Sequence, residues 1–423
     1  MIQTKEDKLW AKHIFWNTFH HLCSQLNDWK AKLDSELCII EINTILKMNV
    51  GNKSSFNLSN VNISDTVQED VISIDTVQLT LPVIFVGFMT LLGVSGNLLV
   101  IIIFGRKKKK RTYTVFILSL AFADFMVCSI TLPFEIYEIR NTFTFYSVYT
   151  CKIFRTYNYL FVFWSTVILI FLSIDRYRRV CQPIKVQFSQ KFTFLLIFLG
   201  FLLSVGFAWP NIFLQGIQRN QNGDLIIYQC SVAEEYVTKS YALVYFKMIL
   251  VVSIVNIVTI IVLYVFIGRK VIQHMRYRKG FRYASTNTKS LKQNNSHGLE
   301  IHQFPVADQH SFTSSIGQQS IKSVQRELQS SLKITKIALT IGVVFVISYV
   351  PSVVLSLVEV LLGKRYMENY SSTSIGFILI AERAFIINHV VNPFIYGFHD
   401  SAFRKTCKEL ISDVLVMFRC ARR

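Results

Sequence analysis

Seven long apolar runs separate the polar segments of this chain. They cover residues 79–104, 113–137, 153–175, 192–214, 241–267, 335–362 and 374–398. Each run is near or above the roughly 20 residues that an α-helix needs to cross a bilayer's hydrocarbon core. Alternating strands of the outer-membrane barrel type are absent from the sequence. The runs therefore predict an all-α membrane protein, built as a seven-transmembrane helix bundle.

The polar segments predict how the chain is organised around this bundle. Residues 1–77 form a largely disordered N-terminal tail, and residues 78–398 form the bundle. A long loop at 276–330, rich in Ser, Asn, Gln and Lys, is expected to be largely disordered and to carry phosphorylation sites. Residues 399–423 form an amphipathic helix and a short tail.

Two shorter patterns predict local structure. Asn222-Gly223-Asp224 is a turn signal between apolar residues and predicts a β-hairpin that ends at Cys230. Between Asp400 and Phe418, apolar residues recur at near-helical spacing with basic residues between them. This pattern predicts a short amphipathic eighth helix that lies on the inner membrane leaflet.

The distribution of charge predicts the orientation of the bundle. The chain is 52% hydrophobic with a mean hydropathy of +0.39, and its net charge is +19. Basic clusters follow runs one, three, five and seven, whereas residues 1–77 hold seven Lys against ten Asp or Glu. The positive-inside rule therefore places the N-terminus outside the plasma membrane and the C-terminus in the cytoplasm. The basic residues serve as topology signals and lipid contacts, which argues against nucleic-acid binding.

Glycosylation sequons and cysteines agree with this orientation. Four sequons lie on the predicted outer side, at Asn52, Asn57, Asn62 and Asn369. Cys151 and Cys230 both face the oxidising outer space, so a disulfide is favoured over two free thiols. Cys407 and Cys420 lie beside basic residues after run seven and are candidates for palmitoylation.

Polar residues recur inside the apolar runs, where they are costly and usually functional. They comprise Asn97 after Gly96, Asp124, Ser165, the triplet Asp175-Arg176-Tyr177, Tyr349-Val350-Pro351, and Asn392-Pro393 with Tyr396. In this order the set resembles the rhodopsin-like (class A) G protein-coupled receptors, over about residues 79–418. The resemblance implies a receptor that activates heterotrimeric G proteins and is then engaged by receptor kinases and arrestin.

The resemblance also implies roles for individual residues. Arg176, between Asp175 and Tyr177, matches the arginine that contacts the G protein, while Tyr264 and Tyr396 match tyrosines that move inward on activation. Asn97, Asp124 and Asn392 match a central polar network. The positions that hold an allosteric sodium ion in many inactive receptors are matched by Asp124, Ser165, Asn388 and Asn392. Cys151 and Cys230 match the family's outer disulfide, and no other cofactor or metal is implied.

Three positions depart from the family pattern. Asn256 stands where the family usually has a proline in helix five, and Tyr349 stands where it often has a tryptophan in helix six. At the start of helix six, Ser331 stands where many relatives have an acidic partner for the arginine. The last change predicts a weaker lock on the arginine at the inner end of the bundle.

The ligand is predicted by exclusion and by pattern. Asn158 occupies the position of the aspartate that binds amines, and no lysine for retinal occurs within 374–398. The hairpin and the Thr131-to-Glu135 segment resemble neuropeptide receptors. Candidate pocket residues are Glu135, Asn158, Lys247, Tyr349 and Glu382, with Glu138, Glu359 and Arg383 also near outer helix ends. A lipid or another non-amine small molecule is the alternative ligand.

Two other functional classes are disfavoured. A membrane transporter would show inverted repeats and paired broken helices, which this sequence lacks. An intramembrane enzyme would need a convergent nucleophile and base or a metal cluster, and Ser165 has no His in register with it.

The weak lock generates a prediction. With Ser331 in place of an acidic partner, we expect a fraction of the molecules of this protein to leave the resting state without ligand. We expect cells expressing this protein to show a second-messenger level that differs from that of untransfected cells. Equal levels across all major second messengers would contradict the weak lock.

Overall fold

The computed structural model describes most of the chain from residue 63 onward. The described backbone covers residues 63–107, 111–141, 144–222, 225–294, 310–362 and 372–421. The sequons at Asn52, Asn57, Asn62 and Asn369 lie outside these residues. By its contacts the chain divides into two units, Met1–Ser73 and Ile74–Arg423.

The described elements are eleven α-helices and one β-hairpin, joined by a π-helical turn (Val127–Thr131) and a 3-10 turn (Glu234–Tyr236). In chain order they are α1 (Ile63–Gly105), α2 (Thr112–Met126), α3 (Leu132–Arg140), α4 (Val148–Cys181), α5 (Gln190–Ala208), α6 (Asn211–Leu214), β1 (Gln215–Asn222), β2 (Leu225–Val232), α7 (Ser240–Asn294), α8 (His310–Leu362), α9 (Ser372–Glu382), α10 (Ile386–His399) and α11 (Ser401–Ala421).

Six helices in the described residues are long and apolar enough to cross a membrane, and a bent helix pair counts as the seventh span, which confirms the predicted fold class. Numbered one to seven, they are Leu79–Gly105, Thr112–Arg140, Val148–Cys181, Gln190–Leu214, Ser240–Gln273, Leu332–Leu361, and the pair Ser374–Glu382 with Ile386–His399. Because much of their apolar surface faces outward, the bundle presents a surface suited to lipid. On span four this surface includes Phe194, Phe198, Leu199, Leu202 and Leu203.

Two spans are irregular where the sequence predicts continuous runs. Span two contains the π-helical turn Val127–Thr131 just before Pro133, whose missing N–H cannot complete the helical ladder. Span seven bends by 65° between its two helices. At the bend, the N–H groups of Arg383 and Ala384 bond three residues back, to Ile380 and Ala381, which tightens the backbone.

Parts of two segments predicted to be largely disordered are helical where the structure describes them. Helix α1 begins at Ile63, within the predicted tail, and the predicted loop 276–330 contains the end of α7 and the start of α8. A stable membrane helix supplies a nucleus for each of these stretches. Extending it costs far less than starting a new helix.

The hairpin and the amphipathic helix agree with their predictions. Strands β1 and β2 pair antiparallel, with Gln215 opposite Val232 and Asn222 opposite Leu225. Helix α11 begins directly after span seven, and Phe403 packs its ring against Phe104 and Tyr396. This contact anchors the start of α11 to the bundle.

Candidate functional site

The centre of the bundle holds a fully buried carboxylate, Asp124 on span two. Its Oδ1 accepts hydrogen bonds from Ser165 on span three at 2.8 Å, and lies 2.8 Å from His389 Nδ1 on span seven. Its Oδ2 accepts from Asn392 Nδ2 at 2.7 Å. A buried carboxylate is tolerated only when such donors replace water. Asp124 thus joins three spans.

Pro393 creates a second polar requirement at the same level. Proline has no N–H, so the carbonyl of His389, four residues earlier, loses its helical partner. Asn97 on span one donates to this carbonyl at 2.8 Å. Asn97 therefore supports span seven through its backbone and makes no side-chain bond to Asp124.

Close packing of span one against span seven depends on Gly96. A Cβ atom at this position would lie 2.8 Å from Cγ of Pro393, which is closer than carbon atoms approach. Glycine therefore allows the contact that brings Asn97 within reach of the His389 carbonyl.

At the far end of span three, Asp175 and Arg176 form a buried ion pair. Arg176 is 2% exposed, and its Nε donates to Asp175 Oδ2 at 3.1 Å, while its Nη2 makes a shorter contact with the same oxygen. Arg179, one turn later, donates to both oxygens of Asp175 at 3.1 and 3.2 Å. One carboxylate thus pairs with two guanidinium groups. We call this end of the bundle the arginine end.

The tyrosines predicted to act with Arg176 surround the arginine end. Tyr264 of span five lies with its hydroxyl 3.0 Å from Ser173 Oγ, and its ring packs where Gly342 of span six has no side chain. Tyr396 of span seven is buried beside Phe104, and its hydroxyl has no hydrogen-bond partner among the described residues. Tyr177 packs on Phe266 of span five.

A second ion pair ties span six to the residue that follows span seven. Lys333 Nζ donates to Asp400 Oδ1 at 2.9 Å, and the backbone N–H of Ala402 donates to the same oxygen at 3.0 Å. Partial burial raises the pKa of Asp400, but the bonds and charge from Lys333, Ala402 and Phe403 outweigh it and lower the pKa below its usual value. The carboxylate is therefore ionised at physiological pH.

At the opposite end, a disulfide joins span three to the hairpin. Cys151 and Cys230 are bonded with an S–S length of 2.06 Å, which confirms the predicted bridge. Beneath it, the ring of Phe134 stacks on Phe154 at 4.5 Å and meets Phe145 edge-on. We call this the disulfide end. Its hairpin is held as a fixed rim beside the spans.

A cavity of about 500 Å³ opens at the disulfide end. Its charged lining comprises Glu138, Arg155, Glu359, Glu382 and Arg383. Beneath them, the buried Glu135 bridges both guanidinium groups, with Arg383 Nε at 3.0 Å and Arg155 Nη1 at 3.6 Å. The two arginines also pair with Glu138 and Glu382. Carboxylates thus outnumber guanidinium groups around the cavity.

Three predicted pocket residues lie away from this cavity's lining. Lys247 is exposed on span five, and Asn158 lies on span three with a buried side-chain oxygen that has no hydrogen-bond partner among the described residues. Tyr349 is in the core, stacked on Phe345 at 4.3 Å with its hydroxyl 3.4 Å from Thr166.

Four residues of these clusters escaped the sequence reasoning. They are His389, Arg179, Lys333 and Arg155. His389 carried a usable signal, because it is an ionisable residue inside an apolar run, one helical turn before Asn392. Lys333 and Arg155 had no local signal, since their partners Asp400 and Glu138 belong to other segments of the chain.

Other predicted residues stay without a described role. Asn388 is buried, and neither polar atom of its side chain has a hydrogen-bond partner among the described residues. Cys407 is a partly buried free thiol, and burial raises its pKa. Cys420 lies within α11, outside the residues whose side chains the structure describes.

Comparison with known families and structures gives consistent matches. The sequence model of the family "7 transmembrane receptor (rhodopsin family)" matches residues 96–396, which is more than two thirds of the chain. The fold is similar to the crystal structure of squid rhodopsin, with a TM-score of 0.56 at 20% sequence identity, covering 81% of this chain and 87% of that one.

Individual relatives are distant. Melanopsin-A of Gadus morhua is 23% identical over 77% of this chain, and the match spans 52% of that protein's own length. The thyrotropin-releasing hormone receptor of Homo sapiens is 24% identical over 75% of each chain. The cholecystokinin receptor type A of Mus musculus is 35% identical over 27% of this chain and 26% of that protein.

The contact between spans one and seven generates a prediction. Gly96→Ala places a methyl group against Pro393 and should destabilise the purified protein by about 1–3 kcal/mol. Gly87→Ala, also in span one, is the matched control, because its Cβ would meet only Ile136, at 4.0 Å. Thermal unfolding of both variants checks this. Equal midpoints would show that span one does not pack on Pro393 as described.

Proposed function

Because the chain belongs to the rhodopsin family of seven-transmembrane receptors, we propose that it binds an extracellular neuropeptide and activates heterotrimeric G proteins at the plasma membrane. The observation that carries the proposal is the buried Asp175–Arg176 pair at one end of the bundle, opposite a charged cavity at the other. The proposed orientation puts the disulfide end outside and the arginine end in the cytoplasm, in keeping with the basic clusters.

The arginine end has the chemistry that a docking helix requires. Arg176 has five N–H donors, and Asp175 now engages it from within the same span. Separating the pair would free the guanidinium to donate to the carbonyls at a helix C-terminus. The pair is buried, so it is less screened than a surface pair and makes a two-state switch possible.

The Lys333–Asp400 pair supplies a restraint that the sequence reasoning lacked. Ser331 removes the usual acidic partner from span six, but Lys333, two residues later, bonds Asp400 beyond span seven. We propose that this pair takes over part of the inner lock. Opening the arginine end moves span six away and breaks it.

The cavity supports a ligand with a positively charged group. Its carboxylates outnumber its guanidinium groups, and the hairpin residues Gln229 to Ser231 form one wall, within reach of an extended chain. Two of the similar proteins are receptors for thyrotropin-releasing hormone and cholecystokinin, in keeping with the neuropeptide class. An apolar lipid chain would bury these charged side chains without pairing them, which is costly, so a lipid ligand is disfavoured.

Further partners follow from the proposed role. Receptor kinases would act on the Ser and Thr residues of segment 276–330, and arrestin would then bind the phosphorylated receptor. Glycosylation of the outer tail and palmitoylation at Cys407 and Cys420 belong to the same proposal. We assign the protein no enzymatic activity.

A peptide screen with the Arg176→Ala variant tests the proposal. G-protein nucleotide exchange by the wild-type receptor should rise with at least one peptide carrying a basic group, and Arg176→Ala should lower it about 10- to 100-fold through lost charge-assisted hydrogen bonds. Arg269→Ala is the control, since Arg269 is an exposed arginine on span five, close to the arginine end of the bundle. Activation that survives Arg176→Ala would reject the proposed role of this residue.

The second lock generates its own prediction. Lys333→Gln removes a partly exposed ion pair worth about 0.2–1 kcal/mol, so basal nucleotide exchange should rise about 1.5- to 5-fold. Lys336→Gln, three residues later on an exposed face, should leave it unchanged. If both variants match the wild type, Lys333 does not restrain span six.

A further inference from the structure

The family resemblance raises the question of whether Asp124 holds a sodium ion. Asp124 is 0% exposed, so a negative charge on its carboxylate would need compensation within the bundle. In the resemblance this compensation comes from an ion held by Asp124, Ser165, Asn388 and Asn392. The side chains around Asp124 show whether such an ion fits this chain.

Donor groups already occupy both oxygens of the carboxylate. Ser165 Oγ and His389 Nδ1 each lie 2.8 Å from Oδ1, and Asn392 Nδ2 lies 2.7 Å from Oδ2. A carboxylate has about four lone-pair positions, and three of them are used here. An ion that bound Asp124 would have to displace at least one of these donors or crowd against them.

His389 is the residue that a sodium site would not contain. Hard cations such as sodium take oxygen ligands, whereas the only ligand atoms of an imidazole are its two nitrogens. If the carboxylate is ionised, Nδ1 must donate in the 2.8 Å contact, because a carboxylate only accepts, and an N–H donor repels a cation bound to the same oxygen. The carbonyl oxygen of His389 accepts from Asn97, so it too is engaged.

The imidazole is also held firmly in place. His389 is fully buried, and the ring of Phe385, one turn earlier, lies edge-on at 6.4 Å between centroids. Its backbone is fixed by Asn97 and contacted by the Cys128 thiol at 3.8 Å. The ring is therefore enclosed in the core beside Phe385, and its Nδ1 contact with Asp124 joins it to span two.

We infer that the His389 imidazole fills the place of the family's sodium ion, so that the polar centre of this receptor forms without sodium. The donor set of Asp124 does not fit the ion. His389 is a positioning residue that joins span two to span seven by a direct hydrogen bond. The inference needs only the side chains of the polar centre and holds whatever ligand or G protein the receptor takes.

Thermal unfolding of the purified full-length receptor in different salts tests the inference. An ion that binds the native state raises the unfolding midpoint by mass action. At equal ionic strength, we expect the same wild-type midpoint in NaCl, KCl and choline chloride, within about 1 °C. A sodium-specific rise that Asp124→Asn abolishes would overturn the inference. Since no G protein or ligand is present, the result is independent of the proposed function.

Replacing His389 tests whether this residue is the cause. His389→Ser removes the ring and adds a hydroxyl oxygen, so its midpoint should become higher in NaCl than in KCl by about 3 °C or more. His399→Ser, at the exposed end of the same span, should show no difference between the two salts. A merely structural role for His389 would lower the midpoint equally in both salts.

Two further outcomes are decisive. If His389→Ser shows no sodium-specific rise although it folds, His389 is not what excludes the ion, and its assignment to the ion's place is wrong. If His389→Ser does not fold, His389→Asn, which also brings an oxygen ligand, gives the same comparison. A sodium-specific rise in that variant alone supports the inference, and its absence rejects it.

Discussion

The membrane core has no water with which a buried polar group can bond, and this constraint organises the bundle. Asp124 and the carbonyl freed by Pro393 must both find donors among neighbouring spans. Asn97, Ser165, His389 and Asn392 supply them, so that spans one, two, three and seven meet at one level. Apolar packing alone would allow these helices to slide or rotate, whereas directional hydrogen bonds fix their register.

The two ends of the bundle are restrained in different ways. At the disulfide end, a covalent bond and a cluster of aromatic rings hold the hairpin beside span three. At the arginine end, the Lys333–Asp400 ion pair joins span six to the residue after span seven, and Ser173 of span three bonds Tyr264 of span five, while the Asp175–Arg176 pair lies within span three. Ion pairs can exchange partners without breaking a covalent bond, but a disulfide cannot. Movement is therefore easier at the arginine end, where a cytoplasmic partner would bind.

The polar centre lies between these ends and connects them through span seven. His389 and Asn392 bond Asp124, and Tyr396 lies one turn further toward the arginine end. A shift of span seven at the cavity, where Arg383 pairs with Glu135, would therefore change the bonds of Asp124 before reaching Tyr396. Because His389 contacts Asp124 directly, side chains of the protein connect span seven to span two without an ion between them.

The membrane spans and the family resemblance could be recognised from the residues alone. Apolar runs of sufficient length indicate the spans, because the hydrocarbon core of a bilayer is about 30 Å thick. The hairpin, the amphipathic helix and the residues Asp124, Asp175, Arg176 and Asn392 could also be recognised, since each belongs to a local pattern or a known motif. The bend in span seven and the helical extensions could not be recognised in this way. The bend depends on backbone hydrogen bonds at Arg383 and Ala384, and the extensions depend on the membrane helices that they continue.

Only the tertiary structure decided which charged groups are partners. Lys333 and Asp400 are 67 residues apart, and Arg383 and Glu135 are 248 apart, so no spacing rule connects them. The same holds for His389 and Asp124, which are separated by 265 residues. Hydrogen bonds and ion pairs act over a few ångströms, and the distance between two side chains is set by how the helices pack. Composition and motifs specify the groups, and packing specifies their contacts.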